Sequence, residues 1–212
     1  MSALIGLESV SKRYGPRTVV HDVSFTVEKG EIVGFLGPNG AGKTTTMRMI
    51  AGVITASSGR VTVAGFDMAT QNEEAARRIG YVPEHPPLYD ALDVSSYLRF
   101  VAKVKGVPRA AISSELDRVT SACHLEDVFR KEVYKLSKGY RQRLGLAQAL
   151  VGKPDVRAVA RGPASKRATR CRVACEWTHD EGSTQRTPAS SAASSSFSSP
   201  RNPPLWCAHS RA

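Results

Sequence analysis

The sequence predicts an α/β fold, and three observations predict it. Short aliphatic strands alternate with amphipathic helical segments as far as Val156. The glycine-rich turn Gly37-Pro38-Asn39-Gly40-Ala41-Gly42-Lys43-Thr44 joins an apolar strand to a helical segment. After Val156 the aliphatic alternation stops, so the ordered unit is expected to end there.

The elements follow in order. Leu4 to Val10 reads as a strand leading to Tyr14-Gly15, and Val23 to Val27 alternates apolar and polar before the turn Glu28-Lys29-Gly30. Glu31 to Leu36 is a buried strand, followed by the glycine turn and a helix from about Lys43 through Ala51. A Ser58-Gly59 turn introduces a strand from Arg60 to Val63, Glu73 to Arg78 is helical, and Ile79 to Val82 is a further core strand. Val94 to Leu150 gives three helical segments, broken near Gly106-Val107-Pro108 and near Lys135 to Gly139.

The chain has 212 residues, enough for one α/β domain with a sizeable core or for one domain and a tail. No run approaches the roughly 18 apolar residues of a membrane span, and Met1-Ser2-Ala3-Leu4 lacks the basic start of a secretory signal. A cytosolic location is expected. Cys123, Cys171, Cys175 and Cys207 form no disulfide framework for a chain of this size. Cys171, Cys175 and His179 have metal-like spacing, but no fourth ligand accompanies them.

The formal net charge is +11, and Lys and Arg outnumber Asp and Glu by 9 to 3 over residues 157–212. That tail contains no Ile, a single Leu (Leu205) and the serine-rich run from Ser190 to Pro200. Such a composition buries too little apolar surface to offset its ordering entropy, so residues from about 160 onward are expected to be largely disordered. Domain boundaries are therefore placed at 1–156 and 157–212.

The turn at Gly37 to Thr44 matches a phosphate-binding loop, G-x-x-x-x-G-K-[ST], in the strand-to-helix context that the motif requires. Glycines 37, 40 and 42 let the backbone turn tightly, so that the successive N–H groups the loop offers, Pro38 having none, can surround an anion at a helix N-terminus. Lys43 neutralises phosphate charge, the Thr44 hydroxyl suits Mg²⁺, and Thr45 adds a further hydroxyl toward the phosphates. A glycine-rich turn with a capping threonine would satisfy the local pattern too, but not the whole of it.

The loop alone fits any P-loop NTPase. A second segment, Leu136-Ser137-Lys138-Gly139-Tyr140-Arg141-Gln142, opens a helical stretch, with Ser137 as N-cap and Gly139 leaving N–H groups open. With the loop upstream, this resembles the signature of ABC ATPases, in the variant common among ABC-2 exporters. The resemblance runs from about Ile5 to Val156. It implies a RecA-like P-loop core, an N-terminal antiparallel β subdomain and a helical signature subdomain over about 90–150, incomplete at the C-terminus.

The resemblance also implies ATP and Mg²⁺ as cofactors and Tyr14 as the aromatic that stacks on adenine. It places Glu84, in Gly80-Tyr81-Val82-Pro83-Glu84, where the family usually has a glutamine that touches Mg²⁺ and the attacking water. It implies a partner ABC domain, identical or not, whose Ser137 and Gly139 equivalents cover the phosphates held by Lys43 and Thr44. It implies a membrane-spanning permease coupled through the region near Glu84 to Phe100, with the chain peripheral on the cytoplasmic face of the membrane. No nucleic-acid partner is expected.

After Val156 the family continues with an aliphatic strand ending in the Walker B Asp, then Glu, and later a switch His. This chain reads Val156-Arg157-Ala158-Val159-Ala160-Arg161-Gly162-Pro163-Ala164-Ser165, so neither the strand nor the carboxylates are expected. Glu176, Asp180 and Glu181 have no apolar strand to place them, and neither His179 nor His209 has the setting of the switch. A shifted reading frame or joined unrelated sequence would account for the change, and ATP binding with impaired turnover is the expected consequence. Two alternatives stay open: a non-hydrolytic nucleotide-binding module or gene fragment, and a polyanion binder acting through the basic tail.

Overall fold

The computed structural model describes residues 3–160 together with 171–174 and 207–210. Strands β1 (Ile5–Tyr14) and β2 (Arg17–Val27) form an antiparallel hairpin closed at Tyr14 and Arg17. Strand β4 (Ser58–Val63) adds antiparallel to β1, and the two-residue β5 (Phe66–Asp67) adds to β4, completing a sheet in the order β2-β1-β4-β5. Ser58 and Gly59 thus lie within β4, not in a turn before it, because β1 extends past Val10 and offers Ser11 as a pairing partner to Ser58.

The second sheet holds the strand that leads into the glycine loop, β3 (Ile32–Phe35), and has the order β6-β7-β8-β3-β9. Strand β6 (Ile79–Val82) pairs parallel with β7 (Val156–Ala160), in register from Ile79 with Val156 to Val82 with Val159. Strands β8 (Cys171–Ala174) and β9 (Cys207–Ser210) pair antiparallel with the two edges of β3.

Two expectations are corrected here. A strand does follow Val156: Val156, Ala158 and Ala160 alternate onto the buried face while Arg157 and Val159 are half-buried. Period-two burial with small alanines therefore suffices where no aliphatic run exists. Strands β8 and β9, which pair along both edges of β3, fall within the residues expected to be disordered. The remaining tail residues, among them Cys175, Glu176, His179, Asp180, Glu181 and the serine run, lie outside the described residues.

Side chains pack into two cores. One gathers Ile5, Leu7, Val33, Phe35, Met47, Ile50, Val63, Ile79 and Val156 around helix α1 (Lys43–Ile50) and the sheets. Helix α2 (Asn72–Arg77) leads from β5 toward β6 and buries only Ala75. The other core belongs to three helices, α3 (Val94–Val104), α4 (Ile112–Cys123) and α5 (Lys138–Leu150), as the sequence predicts. On α3 the buried residues Val94, Tyr97, Leu98, Val101 and Ala102 recur at helical spacing, each large side chain contributing roughly 1.5–3 kcal/mol on burial.

Candidate functional site

The glycine loop runs from the end of β3 to the start of α1, so the sheet fixes where it begins and the helix where it ends. Gly42 is the N-cap of α1, with φ of 82° and no side chain to accept from the first-turn N–H groups. A Cβ on Gly42 would lie 2.8 Å from the Val19 carbonyl oxygen, so the loop rests directly on β2. At Gly40, φ is 85° and a Cβ would meet nothing within 4 Å, which leaves the crest of the loop open. Below it, Ala41 N–H donates to the Pro38 carbonyl at 3.3 Å and the Thr46 hydroxyl to the Gly42 carbonyl at 3.1 Å.

Lys43 is buried, and its ammonium donates to the carbonyls of Gly37 at 2.9 Å and Pro38 at 2.6 Å. Those bonds satisfy two of its three donors and fold the charge inward against the loop. Thr44 is exposed and Thr45 half-buried. Unsatisfied N–H groups at a helix start, a lysine beside them and a hydroxyl at the rim form a donor set that fits a polyphosphate with its Mg²⁺.

Tyr14 closes the β1–β2 hairpin, whose β2 strand carries the Val19 carbonyl beneath Gly42. Its ring is half exposed, with the Lys12 ammonium 5.3 Å from its centroid. Glu84 and His85 are exposed on the loop after β6.

The segment at 136–142 lies in the other core. Leu136 is buried, Ser137 caps α5 with its Oγ accepting from Tyr140 N–H at 3.4 Å, and Lys138, Gly139 and Gln142 are exposed. Arg141 is held by Asp90 at 2.7 Å and donates to the Val133 carbonyl at 3.1 Å. Among the described residues no hydrogen bond or ion pair joins this segment to residues 37–45.

The far end of α5 shows a feature that sequence reading missed. Lys105 donates to the carbonyls of Ala149 and Val151, Arg118 donates to Leu150, and Glu115 accepts from Gly152 N–H at 2.7 Å. Glu115 and Arg118 also pair bidentately. Burial holds the Lys105 ammonium down to about 8. Burial opposes ionisation of Glu115, but hydrogen bonds from Arg118 and Gly152 outweigh it and keep its carboxyl below the ordinary 4.5. The only trace in the sequence is the Glu115–Arg118 spacing of three on a helix.

Between the two cores runs a groove of about 480 Å³, lined by Arg48, Val53, Tyr81, Pro83, His85 and Lys105 among others. Val53 and Val104 are mostly exposed, as are Tyr89 and, to a lesser degree, Phe100, which stack edge to face with ring centroids 5.6 Å apart. Among the described residues no helix is long and apolar enough to cross a membrane, and no cluster of three or more His, Cys, Asp or Glu could hold a metal.

Comparison with known proteins shows the family. The family model described as ABC transporter matches residues 20–158. The chain is 41% identical over 157 residues to the uncharacterized ABC transporter ATP-binding protein YhcH of Bacillus subtilis, covering 74% of this chain and 50% of that one. It is 37% identical over 158 residues to the ABC transporter ATP-binding protein NatA of the same organism, covering 72% and 64%. A solved ATP-binding subunit of an ABC transporter superposes with a TM-score of 0.64 at 26% identity, covering 74% of this chain and 65% of that one. A component of the cbiONQ complex of Clostridium perfringens has the same fold, with a TM-score of 0.64 at 23% identity and coverages of 75% and 65%. The chain thus spans about half to two thirds of the length of these relatives.

Proposed function

The chain belongs to the ABC transporter ATP-binding family, and from that premise we propose that it binds Mg-ATP through the loop between β3 and α1 while turning it over poorly. The uncapped start of α1 carries this reading. Its N–H groups have no internal acceptor, the glycines leave room for a ligand, and Lys43 can exchange two loop carbonyls for β- and γ-phosphate oxygens. Thr44 would hold Mg²⁺, Glu84 would offer it a second oxygen, and Tyr14 would stack on the base. The bound metal supplies charge neutralisation across the phosphates.

Poor turnover is inferred from β7. It pairs parallel to β6, and by the family resemblance a strand here would end in the Mg²⁺-holding Asp, yet Val156 to Ala160 and the five residues that follow contain no Asp or Glu. Without a carboxylate to orient and deprotonate water, hydrolysis lacks help worth roughly 10²- to 10⁴-fold. Phosphate release from Mg-ATP is expected to be the same, within background, for the native chain and Lys43→Ala; robust turnover that depends on Lys43 would refute this.

On the same premise the chain would meet a second ABC domain, identical or not, head to tail, the Ser137–Gly139 segment of each closing on the other's loop. A membrane-spanning subunit would dock over the region from Glu84 to Phe100, where Tyr89 and Phe100 leave apolar surface exposed. In that assembly the chain would be peripheral on the cytoplasmic face of the membrane.

A further inference from the structure

The helical unit carries a second open cleft, of about 810 Å³, between the start of α3 and the turn that precedes α5. Backbone bonds join its two walls: Val94 N–H to the Lys131 carbonyl at 3.0 Å, Ser95 N–H to Phe129 at 3.0 Å, and Val133 N–H to Leu92 at 2.9 Å. These bonds hold Arg99 on one wall and Arg130 and Lys131 on the other around a common space.

All three cations are exposed, and among the described residues none is in an ion pair, although Arg60, Arg77, Arg78, Arg118 and Arg141 each are. The two acids of the lining are already engaged. Asp93 accepts from Ser96 N–H at 2.9 Å and from the Ser95 hydroxyl at 2.7 Å, and Glu132 is paired with Lys135 at 2.5 Å. The lining thus sets Arg99, Arg130, Lys131 and Lys135 against the two carboxylates Asp93 and Glu132, a net positive cleft with two planar guanidinium forks.

We propose that this cleft binds a phosphate-bearing polyanion, with Arg99 and the Arg130–Lys131 pair gripping it from opposite walls. The second wall continues through Val133 to Ser137, and Arg141 of α5 is tied to it at Val133 and to Asp90. A ligand seated here would brace the segment that presents Ser137. The proposal is independent of ATP binding at the loop before α1.

The test is hydrogen–deuterium exchange on the full chain with two probes: inositol hexakisphosphate, and vesicles of phosphatidylcholine with or without phosphatidylglycerol. Exchange localises the contact, which separates the cleft from the cations after Val156. Protection of amides over 92–100 and 129–135 is expected, lost in a combined Arg99→Gln, Arg130→Gln, Lys131→Gln variant whose affinity falls roughly tenfold or more. It should survive in an equally discharged Arg17→Gln, Lys103→Gln, Arg109→Gln control.

Protection by the soluble probe alone identifies a free phosphate compound, and protection by phosphatidylglycerol vesicles alone identifies a lipid headgroup; either supports the site. If the triple variant melts early, Arg99→Gln alone is used, and weakened protection is again required. Absence of protection with both probes, protection unchanged in the cleft variants, or equal loss in the control overturns the proposal.

Discussion

Helix α1 begins at Gly42, a left-handed residue with nothing to offer the first-turn N–H groups, whereas α5 begins at Ser137, whose hydroxyl accepts from Tyr140 N–H. The opposite ends differ as well. α1 closes with backbone bonds alone at Ala51, while the last carbonyls of α5 are gripped by Lys105 and Arg118. A helix start left bare in a well-packed core keeps its donors for an external anion, and one that is capped has already used them on itself. Under the proposed function, the difference sets the end that would hold phosphate apart from the end that would present Ser137.

The comparison can be broken most forcefully at the bare end. Gly42→Val forces a branched residue into a left-handed φ and drives its Cβ into the Val19 carbonyl, a cost of roughly 2–4 kcal/mol in urea unfolding. Gly40→Ala shares the positive φ but has open space around it, so only about 1–2 kcal/mol should be lost. Equal losses at the two glycines would show that the loop does not rest on β2 as described.

Next in size is the clasp on α5. Glu115→Gln removes the charge that Arg118 and Gly152 N–H face, and about 1–3 kcal/mol of stability should go with it. The Glu115 carboxyl is held below 4.5 in the folded chain, so its contribution is complete above that pH and lost as pH falls through the depressed value. Melting temperatures measured between pH 7 and 3 should therefore converge for the native chain and the variant, and a constant gap would count against the clasp.

Smallest is the cap itself. Ser137→Ala should cost about 1 kcal/mol and Ser137→Asp almost nothing, since either native oxygen or carboxylate can accept from Tyr140 N–H. No such pair of substitutions exists for α1, whose cap has no side chain to remove.

Much of this contrast was legible in the sequence. The loop announces itself because the spacing of Gly37, Gly40, Gly42 and Lys43 between an apolar strand and a helix is set by local backbone chemistry, and Ser137 because capping is also local. The ABC family membership followed from those two segments. Strand β7 was missed because Arg157 interrupts its apolar pattern and alanines replace the expected aliphatics; only pairing with Ile79 to Val82 makes it a strand. The clasp was missed because it unites Lys105, Glu115, Arg118 and Ala149 to Gly152, residues that only helix packing brings together. The two-residue β5 leaves no periodicity to detect.

Under the proposed function, the bare start of α1 holds the phosphates of ATP. Equilibrium titration of the full chain with a fluorescent ATP analogue in the presence of Mg²⁺ tests it directly. Saturable binding, weakened at least about tenfold by Lys43→Ala, or some 1.4 kcal/mol, is the expected result. Equal affinity for the two proteins would contradict it.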